Sequence, residues 1–360
     1  MGFQNLFKPA WQSDNQEKAL KAVKKLTNQA ELIRAAEESR YGSVKKVAVD
    51  MLIDQNAIAD VANNNSNVDV RNIAIEKLTD QNILTDVAKK AYDNWGRMKA
   101  AEKLTDKTFA QEVYANIAKN DKDDYLRKAA VEKLTNQNIL ADIVKNDRHF
   151  QVYATAIERL TDQNILADIA KNAKEIGILI KVLKKLTDQE ALADVAKNAN
   201  NSWACIEAAK KLSNQSINQE AVTNLVYDEN EDVRIQAINM LTDQNVLANI
   251  AKNDKNSNVR IIAAEKLTNQ ILAQEIYTEI AKNFGDKWAR EQAIKKLTDQ
   301  SVLSDIANST DEKYRYSWEE TRIMWGADEK LEKWKETHTL NLCEVANNRL
   351  EELKKKENND

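Results

Sequence analysis

The chain has 360 residues, with 53 Lys and Arg against 57 Asp and Glu, a net charge of −4, one proline and six glycines. Glycine and proline this scarce, with 31% charged and 6% aromatic residues, suit a long all-helical protein with thin cores. The acidic balance sets the chain apart from general nucleic-acid binders, which are basic as a class, and no stretch approaches ~18 apolar residues, so no transmembrane helix is expected.

In chain order, residues 1–15 come first. MGFQNLFKPAWQ lacks a basic region followed by an apolar run, so no secretory signal is expected. Phe3, Leu6, Phe7 and Trp11 read as an apolar N-terminal cap. From there a tetrapeptide organises the chain. Leu-Thr-Asp/Asn-Gln begins at Leu26, Leu78, Leu134, Leu160, Leu186, Leu241, Leu267 and Leu297, with variants at Leu52 (LIDQ), Leu104 (LTDK) and Leu212 (LSNQ). The steps between these eleven marker leucines are 26, 26, 26, 30, 26, 26, 26, 29, 26 and 30 residues. A fixed period in this range means a solenoid, in which each repeat leans on its neighbours.

One repeat shows the elements. After Leu241, Val246, Leu247, Ile250 and Ala251 share one face of a helix, here called helix A. Asp243 is its expected N-cap, with Thr242 competing. A polar loop, Asn253 to Ser257, precedes helix B, in which Val259, Ala263, Ala264 and Leu267 share a face. The residue four before the marker is Ala at Ala22, Ala48, Ala74, Ala100, Ala130, Ala156, Ala208, Ala237, Ala263 and Ala293, with Val182 the exception. A small residue there lets neighbouring helices approach. Helices of about ten residues do not hold alone in water, so stability must come from stacking.

The run from Asp254 through Val259-Arg260, Ala263 and Leu267 resembles the second half of a bacterial HEAT-like repeat. The likeness covers roughly residues 15 to 310 and implies a right-handed all-α solenoid of about eleven helix pairs. It also implies that a turn Asp pairs with an Arg six residues on, as in Asp121/Arg127, Asp228/Arg234 and Asp254/Arg260. The repeats at Tyr153, Leu179 and Cys205 lack the Arg, and the proline usual in helix A of the family is absent.

The longer steps carry insertions near one helical turn. Ala110-Gln111-Glu112-Val113-Tyr114 and Ala273-Gln274-Glu275-Ile276-Tyr277 share a pattern, and Asn218-Gln219-Glu220 is similar. All three are expected to lengthen helix A. The solenoid is expected over 16–312. Residues 313–360 leave the repeat and read as two helices, near 314–326 and 328–355, whose Trp318, Trp325, Trp334, Leu340 and Leu342 cover the last repeat. KKKENND closes the chain as a solvated tail.

Chemistry finds few residues to work with. His149 and His338 are the only histidines, no Cys or carboxylate stands at ligand spacing, and no Gly-rich phosphate loop exists. No catalytic site, metal or cofactor is expected, and His149 reads as an exposed loop residue. Cys205 and Cys343 lie far apart and are not expected to bridge, which suits a reducing cytoplasm.

Two surface rows remain. The residue before the marker is Lys25, Lys77, Lys103, Lys133, Arg159, Lys185, Lys211, Lys266 or Lys296. Such a stripe would follow a phosphate backbone, or it answers the helix dipole at the end of helix B. Its best local case is Lys184, Lys185, Lys210 and Lys211, which have no acidic neighbour in sequence. The second row stands nine residues before the marker, where Trp95, Tyr125, Trp203 and Trp288 replace the polar Ser43, Asp69, Asp232 and Asn258. In three of these repeats the helix cap is expected to move back one residue, to Asn94, Asp124 and Ser202. The position points about 180° away from the marker leucine. Met98 and Ile206 are expected beside it.

Two readings of these aromatics stay open: local packing, or anchors for a partner. The expected function is a non-catalytic scaffold that binds a protein or peptide on the concave helix-B surface, through Trp95, Met98, Tyr125, Trp203, Ile206 and Trp288. Nucleic-acid binding along the lysine stripe is the alternative.

Overall fold

The computed structural model describes residues 8–283, 287–309, 315–323 and 333–357. Phe3, Leu6 and Phe7 lie outside the described residues. Trp11 is buried, and its indole N–H donates to Glu31 Oε2 at 3.1 Å.

Helices start where an Asp or Asn side chain takes up free amides. Asp243 Oδ1 accepts from the amides of Asn245 (2.8 Å) and Val246 (3.2 Å), so Asp243 and not Thr242 caps helix Gln244–Asn253. Asp54, Asp80, Asp162 and Asp188 act alike. Helix B has its N-cap eleven residues before the marker, at Asn67, Asp93, Asp123, Asn201, Asn230 and Asn256. The expected cap shift therefore does not occur. Asn94, Asp124 and Ser202 are the first helical residues, and Trp95, Tyr125 and Trp203 take the second helical place that Asp69, Asp232 and Asn258 hold elsewhere.

Helix A packs on helix B within a repeat, and helix B packs on the next helix B. The marker leucines from Leu52 to Leu297 are buried, as are Val182 and the alanines from Ala48 to Ala293 at the fourth position before the marker. Leu26 and Ala22, at the array's start, are only half-buried. The architecture is an all-α solenoid of tandem helix pairs, with eleven helices A and eleven helices B among the described residues. It forms two compact bodies: Met1–Ile169 with Ala173–Lys185, and Ala170–Asn172 with Leu186–Asp360.

Within each body, rungs of polar contacts join one repeat to the next. The marker Gln makes the first. Gln81 Oε1 accepts from Thr105 N (2.8 Å) and Thr105 Oγ1 (3.0 Å), and its Nε2 lies 3.5 Å from the Lys103 carbonyl. Gln137, Gln189 and Gln244 repeat this on Thr161, Ser213 and Thr268.

The arginines make the second rung. Arg234 is 3% exposed and forks onto Asp254 of the next repeat (3.0 and 3.2 Å), while Nη1 donates to the Asp228 carbonyl at 2.9 Å. Arg127 treats Asp147 and the Asp121 carbonyl in the same way. This corrects the pairing implied by the resemblance. For Arg127 and Arg234 the Asp six residues back offers its main-chain oxygen, and the carboxylate that pairs belongs to the following repeat. Arg260 donates to the Ala251 carbonyl and to Glu279 of the following repeat. Asp228 instead accepts from Ser202 of the preceding repeat. Where Arg is missing, the Cys205 thiol donates to the equivalent carbonyl, that of Ala199, at 3.4 Å. A third rung joins helices A through Lys119–Asp142 (2.8 Å), Lys171–Asp194 (2.7 Å) and Lys197–Glu220 (2.7 Å).

The insertions obey the Gln rung. In LTD-KTFA-Q four residues enter ahead of Gln111, which replaces Lys107 in the rung and accepts from Thr135 N at 2.8 Å. Gln274 does the same after QILA. Helices Lys107–Asn120 and Gln270–Asn283 are accordingly one turn longer than the ten-residue norm. The third insertion departs from expectation. QSIN precedes Gln219, which keeps its rung to Thr242, but helix Gln215–Thr223 is short and a 3₁₀ turn follows at Leu225–Tyr227. Three residues of 3₁₀-helix rise about 6 Å, as four of α-helix do. The turn absorbs the one residue that separates this step of 29 from the other two of 30.

The C-terminal expectation needs a larger correction. Residues read as two helices form an antiparallel two-stranded ladder, Arg315–Ile323 with Lys333–Asn341, before helix Leu342–Glu357. Threonine-rich alternation in KWKETHTLN fits a strand period better than a helical one. Trp325 lies outside the described residues, as do the side chains of Trp318, Trp334 and Leu340. The final helix stands where a helix B would, packed on Gln300–Ala307. Leu342 and Ala346 are buried, and Arg349 donates to the Leu297 carbonyl at 3.2 Å.

Candidate interaction surface

The lysine row is the first candidate, and the structure gives its ammonium groups partners. Lys77, Lys103, Lys185 and Lys266 donate to main-chain carbonyls of Asp50, Glu76, Glu158 and Asn239, each in the last turn of the preceding helix B. Arg159 and Lys211 reach the Leu134 and Leu186 carbonyls. Lys133 and Lys296 pair with Glu102 (2.9 Å) and Glu265 (2.8 Å) of the previous repeat. The row thus closes free helix ends across the stack. Burial pushes the Lys185, Lys211 and Lys266 ammoniums below the usual lysine range. Of the four central lysines, Lys185 and Lys211 are used in this way. Lys210 meets Glu207 (2.7 Å) and Gln236 (2.8 Å), and Lys184 is exposed.

The aromatic row divides between the two bodies. In the first, Trp95 and Tyr125 stack across neighbouring helices B, with ring centroids 6.5 Å apart and planes at 25°. Tyr125 is 65% exposed and Trp95 half-exposed. Lys99 Nζ lies over the Trp95 ring at 5.7 Å. In the second body Trp203 is half-buried and Trp288 is 53% exposed.

Met98 and Ile206 must be withdrawn from the surface, at 2% and 0% exposed. They stand six residues before the marker, a position that is buried in these two repeats and exposed at Ile180.

Phe150 was missed by sequence reasoning. It opens helix Phe150–Arg159, is 55% exposed, and meets Tyr153 edge-on at 5.5 Å. Lys181 Nζ lies over its ring at 5.3 Å. Ile176 and Ile180 extend this exposed apolar lane onto helix Ile176–Lys185. The signal was present in the sequence, but Phe150 stands ten residues before its marker and not nine. His149 is no free loop residue. It occupies the N-cap place of that helix, and its Nε2 lies 3.1 Å from Asp124 Oδ2.

Away from helix B, the long helices A border two open grooves of about 810 Å³ each, lined by equivalent residues such as Lys107, Gln111 and Lys119 in one and Gln270, Gln274 and Lys282 in the other. Both follow from the extra turn. Among the described residues, no group of three or more His, Cys, Asp or Glu is placed to hold a metal ion, and no helix is long and apolar enough to cross a membrane.

No protein-family model matches the chain, and no curated protein matches it. Similar solved structures include YibA of Escherichia coli, at 19% identity over 80% of this chain and 98% of that one, with a TM-score of 0.28. A homology model of the AP-3 complex is similar at 14% identity over 83% and 66% of the chains, TM-score 0.30. Kap121p is similar at 13% identity over 85% and 48%, TM-score 0.28. The chain therefore spans about two thirds of the AP-3 chain and about half of Kap121p. Similarity at this level carries no functional argument, and the helix-pair architecture rests on the chain's own repeats.

Proposed function

We propose that this chain is a non-catalytic scaffold of the bacterial HEAT-like kind, whose helix-B surface binds a protein or peptide partner. One observation carries the reading. The recurrent polar residues are used in rungs between repeats, whereas Tyr125 and Phe150 stand exposed, and Trp95 half-exposed, on successive helices B outside those polar rungs. Rigid aromatics on an ordered surface are the common anchors of protein recognition. Two buried free thiols suit a cytoplasmic setting. The alternative, nucleic-acid binding through Lys184, Lys185, Lys210 and Lys211, is weakened because three of the four already have acceptors within the chain.

The test is capture from host lysate, treated with nuclease, by the wild type and by a Trp95→Ala/Tyr125→Ala/Phe150→Ala variant of equal helical content. A protein kept after nuclease by the wild type and lost by the variant is expected. Capture that vanishes with nuclease, or that ignores the three substitutions, rejects the reading.

A further inference from the structure

The lane in the first body carries charge as well as rings, and its charges are unbalanced. Three of its carboxylates are engaged: Asp124 with His149 (3.1 Å), Glu132 with Lys128 (2.5 Å) and Glu102 with Lys133 (2.9 Å). Glu158 lies beside Lys185, whose ammonium its field favours, and the exposed Glu175 acts on Tyr153 at the edge of the lane. The lane lysines are less engaged. Lys99 is 3.8 Å from Glu102 and lies over Trp95. Lys181 lies over Phe150, and Lys184 is exposed on the same helix. No carboxylate pairs with Lys181 or Lys184 among the described residues. What remains is alternating ring and ammonium, flanked by Ile176 and Ile180.

We propose that this lane takes an acidic peptide segment of a partner protein, with aromatic or aliphatic side chains between its carboxylates. The inference rests on the scaffold reading and narrows it to one partner chemistry. Carboxylates would meet Lys99, Lys181 and Lys184, while apolar side chains meet Phe150, Tyr125 and Ile180. The lane crosses four helices B. At about 8–10 Å between neighbouring helices, that is roughly 24–30 Å, or about seven to nine extended residues.

A single-stranded nucleic acid is also anionic and also stacks on rings. Two features favour the peptide. Trp95 and Tyr125 already stack on each other, so no base enters between them. Most lysines of the marker row hold carbonyls, leaving too few to follow a phosphate chain.

The experiment selects from a random 12-residue peptide display library on the full-length protein. Parallel baits are Lys181→Glu/Lys184→Glu and Trp95→Ala/Phe150→Ala, each checked for wild-type circular dichroism. The wild-type pool should be rich in Asp and Glu with interspersed aromatic or aliphatic residues. The charge-reversed bait should lose that bias, and a synthetic wild-type-selected peptide should bind it roughly tenfold more weakly. An acidic bias that survives charge reversal overturns the proposal. So does an enriched pool without acidic bias; if that pool still disappears on Trp95→Ala/Phe150→Ala, peptide binding stands and only the acidic preference falls. No enrichment on any bait overturns both readings, as does displacement of the selected peptide by a dT20 oligonucleotide.

Discussion

A glutamine head accepts on one atom and donates from the next, and the repeat uses both. Gln137 Oε1 accepts from Thr161 N at 2.7 Å while Nε2 lies 3.4 Å from the Arg159 carbonyl. Gln137→Ala should lower stability by about 1 kcal/mol, seen as a lower urea midpoint at unchanged slope. Gln137→Glu keeps the acceptor but turns a carboxylate oxygen toward that carbonyl, so at pH 7 it should cost at least as much. Equal midpoints for all three proteins would remove the rung from the account of stability. The marker leucine and its alanine were legible in the sequence because burial imprints a period. The task of the glutamine was not, since its partner lies 24 residues on, beyond any local pattern. Neither a phosphate backbone nor the helix's own dipole, the two readings the sequence left open for the lysines, names the acceptors they meet on the preceding helix B.

Tyr114 and Tyr277 occupy the same place in the two long helices A, and burial pushes both phenols up to about 12, with Glu102 and Glu265 adding to the shift. A raised folded-state pKa means that the folded chain holds its proton where the unfolded chain has lost it. Stability from these groups is therefore full below about pH 10 and drains away as pH rises toward 12. An absorbance titration of phenolate should show a late step that Tyr114→Phe/Tyr277→Phe reduces, leaving the part that belongs to Tyr153, whose phenol burial also pushes up. A late step of unchanged size in the double variant would contradict this.

At the scale of elements, an inserted turn is harmless only if it leaves a glutamine in place. Deleting residues 107–110 turns LTDKTFAQ into LTDQ and keeps the Gln111 rung. Deleting 108–111 removes the same length and loses it. The first variant should melt near the wild type and the second should melt lower; coincident melts would count against the phase argument. The arginine rungs are more demanding. Arg234→Met leaves the nearly buried Asp254 carboxylate without its partner and should cost about 3–5 kcal/mol. Adding Asp254→Asn should recover much of that loss, because the amide oxygen can still cap Asn256 N. A strictly additive double-mutant cycle would refute the coupling. The starts of helices A and the extra turn in two of the three longer repeats were legible, whereas the helix-B caps beside Trp95, Tyr125 and Trp203 and the 3₁₀ turn at Leu225–Tyr227 were not. The C-terminal strands were not, because outside the repeat no second copy was present to check the period, and the scattered tryptophans suited either spacing.

At the scale of the whole molecule, contacts within each body run from each repeat to the next, so the stability of a body should approach a sum over neighbours. Excising Asp54–Thr79, one 26-residue repeat, keeps the Gln29 rung to Ile53 and the Gln81 rung to Thr105. It also brings the Asp50 carbonyl, now held by Lys77, to Lys103. The shortened chain should fold with unchanged helicity per residue. Excising one residue more removes the Asp80 cap and should cost a further ~1 kcal/mol. Thermal melts monitored by circular dichroism decide between them, and a 26-residue excision that fails to fold would sink the neighbour-sum picture.

Each glutamine rung has its two halves in successive copies of one repeat: the Gln that reaches forward, and the Thr or Ser that receives. A repeat duplicated or lost by unequal crossover would arrive or leave with both halves. A gene built this way can change the length of its product in single recombination events, with no compensating mutation at the junction. The faces that carry the aromatic lane take no part in the glutamine rungs and are free to diverge after each copying. Length and recognition would then be inherited on separate tracks.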